Sequence, residues 1–572
     1  MPTFQFHRFP VGALVCSLIV VFTAEASSNS ETFASLTEAA AKANQTLEPI
    51  APGPFEPSWE SLKAYRTPEW FSEAKFGIWA HWGPQCQPEM GDWYAQLMYV
   101  PNNPKSWARR DYEFHVARYG HPSAFGFKDV IHTWKAEHWD PDRLMALYKR
   151  AGAQYFMALA NHHDNFDLWN SKYQPWNSTV VGPQKDLIGG WAKAARANGL
   201  RFGVSIHAAR AWSWYESSQG ADASGPLAGV PYDGKLTAAD GKGTWWEGLD
   251  PQDLYAQSHP VGGKGNWDSV LNGSGWSPGD PRLPSQAYVT RFYNRVADLI
   301  NQHHPDLIYF DDTVLPFYPL NDVGLRIAAH FYNSALAANG GRLEAVLTGK
   351  HLSEEQKRCM VYDIERGRSP QILPRPWQTD TCLGIWHYDR SLYEQGRYKT
   401  AGQVIQMLAD IVSKNGNLML NVPVRGDGTI DDTETHIIEQ IGDWMATNRE
   451  AIFATRPWKV YGEGPSTLET GPKGPFDGLQ ETGVFTAKDI RFTASKDGNT
   501  IYAIVLGRPS GDVRVASIGS GEGPGQRQIA EIELLGQNQP VKWTSSPEGI
   551  VIAAPPMAEV IGAAVFRIRL KA

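Results

Sequence analysis

The sequence predicts an α/β protein: an irregular (β/α)8, TIM-like barrel followed by a C-terminal β-sandwich. Three observations carry this. From about residue 60 to 450, short apolar runs alternate with amphipathic helical patterns, as βαβ units around a parallel sheet do. About eight such runs fall in that span, the number that closes a barrel. After Trp458 the helical period gives way to short strands separated by Gly, Pro and Asp turns.

In chain order, residues 1–26 read as a signal peptide. Arg8 precedes an apolar run from Val11 to Thr23, and Ala24-Glu-Ala26 supplies small residues for cleavage. A run of ~13 residues is short for a bilayer span. Residues 27–58 form a polar Ala/Ser/Pro segment. The catalytic barrel is placed at 59–455, with strands at Phe76–Gly83, Tyr155–His163, Arg201–His207, Asp306–Asp311, Ala345–Thr348, Met360–Glu365, Cys382–Trp386 and Asn417–Val422. Helices are expected at Asp142–Gly152, Leu187–Asn198, Ala287–His304, Leu325–Asn339, Ala401–Lys414 and Thr433–Asn448. A doubly wound open sheet is the competing fold, but no Gly-rich phosphate loop follows the first strand. Residues 214–285 are rich in Gly, Pro, Trp and Ser and too long for an ordinary connection, so they read as an insertion. The sandwich is placed at 456–572, with strands at Gly483–Thr486, Ile490–Ser495, Thr500–Leu506, Val513–Ile518, Gln528–Leu535, Gly549–Ala553 and Ala563–Leu570.

Composition narrows the function. With 53 Lys+Arg against 61 Asp+Glu the formal charge is −8, which disfavours a nucleic-acid partner. Apart from the first 30 residues no run approaches a membrane span, so none is expected in the mature chain. Four Cys exclude a disulfide scaffold; Cys86, Cys359 and Cys382 survive cleavage and allow at most one bridge. The 22 Trp suggest a carbohydrate ligand, because flat indole faces stack on sugar C–H faces; core packing is the alternative for each of them.

In such a barrel the active site forms at the C-terminal ends of the strands. Those ends carry His81 and Trp82, then Asp92 and Trp93; His162 and His163; His207, then Trp212 and Trp214; Asp311 and Asp312; Glu365; and Trp386 with His387. Six strands ending in this way are hard to ascribe to ordinary loop polarity. No His-Glu-x-x-His motif is present, and adjacent His162 and His163 on a strand point to opposite faces, so neither a metal nor a cofactor is expected. No Gly-x-Ser-x-Gly follows a strand. Paired carboxylates remain, and Asp311 and Glu365 end different strands, as glycoside hydrolysis requires.

The motifs then become specific. Lys75-Phe-Gly-Ile-Trp-Ala-His-Trp-Gly83 and Asn161-His-His-Asp-Asn-Phe-Asp-Leu-Trp-Asn-Ser-Lys-Tyr173 resemble the first two strand motifs of family-29 glycoside hydrolases, the α-L-fucosidases. In the same order follow Lys185-Asp-Leu-Ile-Gly189, Gly199-Leu-Arg-Phe-Gly-Val204, Pro305-Asp-Leu-Ile-Tyr-Phe-Asp311 and Val412-Ser-Lys-Asn-Gly-Asn-Leu-Met-Leu-Asn421. Asp427-Gly-Thr-Ile430 and Ile441-Gly-Asp-Trp444 complete the set, over roughly residues 60–458.

The resemblance implies a retaining exo-α-L-fucosidase acting on a fucosylated oligosaccharide or glycoconjugate, with Asp311 as nucleophile. Glu365, upstream of Pro376-Trp377, is assigned as acid/base, with its pKa raised and its carboxyl roughly 5–5.5 Å from that of Asp311. His81, His162 and His163 match sugar-binding positions, as does Trp93. Tyr309 stands where relatives often carry Trp, and Trp386 where an aromatic packs on the sugar methyl. Four departures stand out: Asp92 for Glu, Asp312 for Gly, Gln378 for Glu, and His207 for Tyr or Ser. Trp212, Trp214, Trp245, Trp246, Trp267 and Trp276 are further candidates around the sugar or its leaving group. The competing functions are an exo-glycosidase on α-L-galactosides or fucan-derived oligosaccharides, and a non-catalytic sugar-binding homologue.

Overall fold

The computed structural model describes residues 30–102, 110–256, 283–312, 314–468, 479–481, 483, 485–519, 528–537, 541–557 and 559–571. The expected signal peptide, Trp267 and Trp276 lie outside these residues.

Eight parallel strands close into a barrel: β1 (Phe76–Ala80), β2 (Tyr155–Asn161), β3 (Arg201–Ile206), β4 (Leu307–Phe310), β5 (Val346–Gly349), β6 (Val361–Asp363), β7 (Trp377–Cys382) and β8 (Gly416–Asn421), each paired with the next, and β8 with β1. Most are continuously apolar because both faces are covered, one by the barrel interior and one by helices. Gly77 is required for closure: a Cβ there would lie 2.3 Å from the Tyr155 ring on the neighbouring strand.

Six helices pack outside: α1 (Pro141–Arg150), α2 (Leu187–Ala197), α3 (Gln286–His303), α4 (Val323–Ala338), α5 (Ala401–Ser413) and α6 (Asp432–Asn448). Their starts follow side-chain caps. Asp140, Asp186 and Ser285 each accept a first-turn N–H, and Thr400/Gln403 and Asp431/Glu434 form capping boxes. Among the described residues only a 3₁₀ turn joins β5 to β6 and only the two-residue strand Gly367–Arg368 lies between β6 and β7, where helices would be expected, which makes the barrel irregular.

One strand is displaced from its expected position. The seventh is Trp377–Cys382, not Cys382–Trp386. Gln378, Thr379, Asp380 and Thr381 made this segment look like a loop, yet all are buried in the barrel. The apolar Leu383-Gly-Ile-Trp386 that resembled a strand is the loop that follows it.

The C-terminal region has a five-stranded antiparallel sheet, in the order Arg456–Glu463, Ile490–Ala494, Thr500–Val505, Ala564–Leu570, Ile529–Leu534, and a three-stranded one from Val513–Val515, Gly549–Ile552 and Trp543–Ser546. They enclose a core of Phe492, Ile501, Ile532, Ile550 and Phe566. Arg456–Glu463 and Trp543–Ser546 are additional to the expected strands. Of the expected Gly483–Thr486, residue 484 lies outside the described set and the rest is not strand. The sheet is fastened to the barrel through buried Asp410 on α5, which binds Arg491 at 2.6 Å and Lys414 at 2.8 Å. Cys86, Cys359 and Cys382 are all buried and unpaired.

Candidate active site

Every strand-end residue singled out in the sequence lies on the loop face of the barrel, and most converge. Asp311 directly follows β4. Its Oδ1 is 2.9 Å from Lys350 Nζ, and its Oδ2 is 3.3 Å from both His163 Nε2 and His207 Nδ1. Arg210 Nη1 lies 4.0 Å away. Burial alone would raise the carboxyl pKa, but Lys350, Arg210 and the two histidines together hold it well below the usual range. Asp312, like Asp311 beyond the end of β4, is buried at 3%, whereas the Asp311 side chain is 18% exposed.

Glu365 is placed by a tight turn after β6. Ile364 N–H donates to Gln378 O at 2.9 Å and Arg366 N–H to Asp380 O at 3.0 Å. Thr379 Oγ1 donates to the carbonyls of Ile364 and Gly367. The Glu365 carboxylate contacts the same Lys350 ammonium that holds Asp311. Burial and the charge of Asp311 raise the Glu365 pKa, against the opposing pull of Lys350. Two further acids lie beneath. Burial pushes Asp363 up to about 7, and Asp380 well above the carboxylate range, its charged form further disfavoured by Asp363 and Glu365. The four carboxyl groups hold Lys350 firmly cationic despite its burial.

The opposite wall is imidazole. His81, His162, His163, His207 and His387 form a continuous cluster with ring centroids 4.3–4.9 Å apart between neighbours. The expectation that His162 and His163 diverge is overturned: β2 ends at Asn161, so both lie in the turn beyond the strand and close on one pocket. Each ring is oriented by a second group. Gln85 Nε2, which also donates to Asp164, lies 2.7 Å from His162 Nδ1, leaving His162 Nε2 to carry the proton. His163 Nδ1 donates to the His207 carbonyl at 3.0 Å. Asp92 Oδ1 accepts from the His387 backbone N–H at 2.7 Å and lies 3.3 Å from its Nδ1.

Desolvation holds His81 and His162 well below the ordinary imidazole pKa and His207 at about 4. These three rings are neutral at pH 7 and able to donate and accept. Both nitrogens of His81 and Nε2 of His387 have no hydrogen-bond partner among the described residues. A buried polar atom left so costs about 1–3 kcal/mol, which a hydroxyl-rich ligand would offset. Two trios, His81/His162/His387 and His162/His163/His207, bring nitrogens within 4.8 Å and have the spacing of transition-metal ligands. His162 is common to both trios, and its Nδ1 is engaged by Gln85.

The aromatics divide. Trp386 packs on Trp79 and His81, at 5.3 and 5.7 Å between centroids, and Trp214 on His163 at 5.5 Å. Trp93, next to Asp92, is 38% exposed. Tyr309 is buried with its hydroxyl turned to Asp380, so it offers the site its ring, over which Lys350 Nζ lies at 5.0 Å. Trp212 packs on Tyr288. Trp245 and Trp246 do not line the leaving-group side as expected: Trp245 donates to Asp129 and stacks on His132, and Trp246 is buried beside Lys128.

Lys350, Arg210 and Gln85 were not selected from the sequence. Lys350 directly follows β5, so a polar residue at a strand end was the available signal for it.

A family model for Alpha-L-fucosidase matches residues 42–450, and one for the Alpha-L-fucosidase C-terminal domain matches residues 485–570. The chain is 25% identical to the tissue alpha-L-fucosidase of Rattus norvegicus over 517 residues, covering 88% of this chain and 90% of that one. It is 25% identical to the plasma alpha-L-fucosidase of Homo sapiens over 518 residues, covering 88% of each. The fold is similar to the crystal structure of Thermotoga maritima alpha-fucosidase in complex with fucose, with a TM-score of 0.61 and 23% identity over 90% of this chain and all of that one. With its matched residues spanning most of the barrel and of the C-terminal sheets, the chain belongs to the alpha-L-fucosidase family of glycoside hydrolases.

Proposed function

We propose that the protein is an exported, exo-acting, retaining α-L-fucosidase that releases terminal α-L-fucosyl residues from oligosaccharides or glycoconjugates. The observation that carries this reading is the shared Lys350 ammonium between two carboxyl groups of opposite pKa tendency, facing a wall of buried imidazoles. Because both acids touch one nitrogen, their nearest oxygens are at most about 5 Å apart. That is closer than the roughly 6.5–9.5 Å that admits a water between acid and base, which supports the retaining class.

Asp311, ionised, attacks the anomeric carbon and forms a covalent fucosyl-enzyme. Glu365, its pKa raised, protonates the leaving oxygen, then takes a proton from the water that hydrolyses the intermediate. His81, His162, His163, His207 and His387 bind the hydroxyls, with Asp92 beside them orienting His387. Trp386, Trp93 and the Tyr309 ring wall the apolar face and the C5 methyl of a 6-deoxy sugar. A neutral sugar suits neutral imidazoles. Exo action fits a pocket whose polar walls are almost entirely buried. Export rests on the first 26 residues, and no described helix is long and apolar enough to cross a membrane.

The test is hydrolysis of an aryl α-L-fucoside and of α1,2-, α1,3-, α1,4- and α1,6-linked oligosaccharides. Asp311→Ala is expected to lose about 10³-fold or more in kcat, with partial recovery in azide. Wild-type rates in that variant would overturn the assignment. Glu365→Ala is expected to spare the aryl fucoside relative to the oligosaccharides; equal losses would remove Glu365 as the acid.

A further inference from the structure

The turn carrying Glu365 is not held by the barrel alone. Residues 464–489 connect the first two strands of the C-terminal sheet, and part of that connection returns to the catalytic face. Leu479–Gln480 pairs antiparallel with Gly367–Arg368, directly after Glu365 and Arg366. The next residue, Glu481, places its carboxylate between three barrel groups. Oε1 lies 2.9 Å from Arg366 Nη2 and 3.2 Å from Lys399 Nζ, and Oε2 accepts from Thr381 Oγ1 at 2.5 Å.

These contacts bear on the acid/base because Arg366 is strained. It is a non-glycine residue at φ +47°, in the left-handed region, and its backbone sets the direction in which Glu365 points. Such a conformation persists only where surrounding contacts over-determine it. On the barrel side these are Arg366 N–H to Asp380 O and the Thr379 hydroxyl. On the other side, among the described residues, the contact is the Arg366–Glu481 ion pair, only partly exposed, so solvent screens it less than a surface pair.

We infer that Glu481, contributed by the C-terminal region, is a positioning residue for the general acid/base: it clamps Arg366 and thereby aims the Glu365 carboxyl at the leaving oxygen. The C-terminal region is then part of the catalytic apparatus, not only a support for the barrel. The inference rests on the proposed role of Glu365 as acid/base.

A mis-aimed acid costs most where the leaving group needs a proton. Glu481→Gln is expected to lower kcat/KM about tenfold to a hundredfold on a fucosylated oligosaccharide, and less than about threefold on an activated aryl fucoside. Glu481→Asp, which keeps the charge, should recover part of the loss. Arg366→Ala approaches the same clamp from the barrel side and should show the same selectivity. The double variant should lose little more than either single one, because each removes the same interaction. Equal losses on both substrates, no loss on either, or additive losses in the double variant would overturn the inference; thermal melting of each variant shows whether it folds. Should Glu481→Gln not fold, Arg366→Ala alone decides by its substrate selectivity. Glu365→Ala, assayed in parallel, separates the two claims. If it lacks leaving-group selectivity, the acid/base reading fails; if it shows selectivity and the Glu481 and Arg366 variants do not, only the clamp fails.

Discussion

The two walls of the pocket solve opposite electrostatic problems. On the side formed by β4 to β7, four carboxyl groups crowd around one buried ammonium, and the charges cannot all be expressed: Asp311 is driven down while Glu365, Asp363 and Asp380 are driven up. On the side formed by β1 to β3 and the loop after β7, three of the five imidazoles are kept neutral by burial and several nitrogens have no hydrogen-bond partner among the described residues. In the proposed mechanism bond-making chemistry belongs to the charged wall, and recognition belongs to the imidazole wall, where hydrogen-bond capacity is held open. Substitutions on the first should therefore act mainly on kcat and its pH dependence, and those on the second mainly on KM.

After Asp311, the proposed nucleophile, the largest expected effect is at Lys350. Lys350→Met removes the cation shared by both acids and should lower kcat about 10²-fold or more on any fucoside. It should also move the acidic limb of the pH–rate profile. In the proposed mechanism Asp311 acts as the carboxylate, and its depressed pKa keeps it ionised as pH falls; without the ammonium that pKa rises, so activity should be lost at higher pH than in the wild type. An unmoved acidic limb would show that Lys350 does not tune Asp311. Next comes the neutral wall: His81→Ala or His162→Ala should raise KM about tenfold with a smaller change in kcat, since a neutral hydrogen bond contributes roughly 0.5–1.5 kcal/mol. A pure kcat loss would break the division between the walls. His207→Tyr, which exchanges the imidazole for an aromatic hydroxyl, should change KM less than about threefold, as read from aryl fucoside kinetics.

The smallest effect concerns stability. Asp363 is raised from 3.8 to about 7 by burial, so the folded state binds more protons than the unfolded one between those values. Its stabilising contribution is complete below pH 3.8 and is lost as pH rises through about 7. Asp363→Asn should flatten the decline in Tm over that window. An unchanged slope would place the proton elsewhere in the cluster.

Much of this was legible in the sequence wherever a residue's neighbours lie close along the chain. The apolar strands β1 to β4 and β8, the capped helices, and Asp311 at a strand end could be read directly. β7 could not, because Thr-Asp-Thr looks solvated until the barrel closes around it. Lys350 could not, because a lone lysine after a short strand resembles any surface cation until Asp311 and Glu365 are brought to it. His162 and His163 were misjudged by one turn: strand alternation applies only while the strand continues. Glu481 was out of reach altogether, since its partners Arg366, Thr381 and Lys399 are distant in sequence and meet it only when the C-terminal region folds back.

The three buried, unpaired cysteines carry a practical consequence. Burial pushes the thiols of Cys86 and Cys382 up to about 12 and that of Cys359 to about 11, so almost no thiolate is available for exchange at neutral pH. The fold therefore owes nothing to an oxidising compartment. The enzyme should assemble equally well in a reducing cytosol after removal of residues 1–26, and its melting temperature should be indifferent to added reductant.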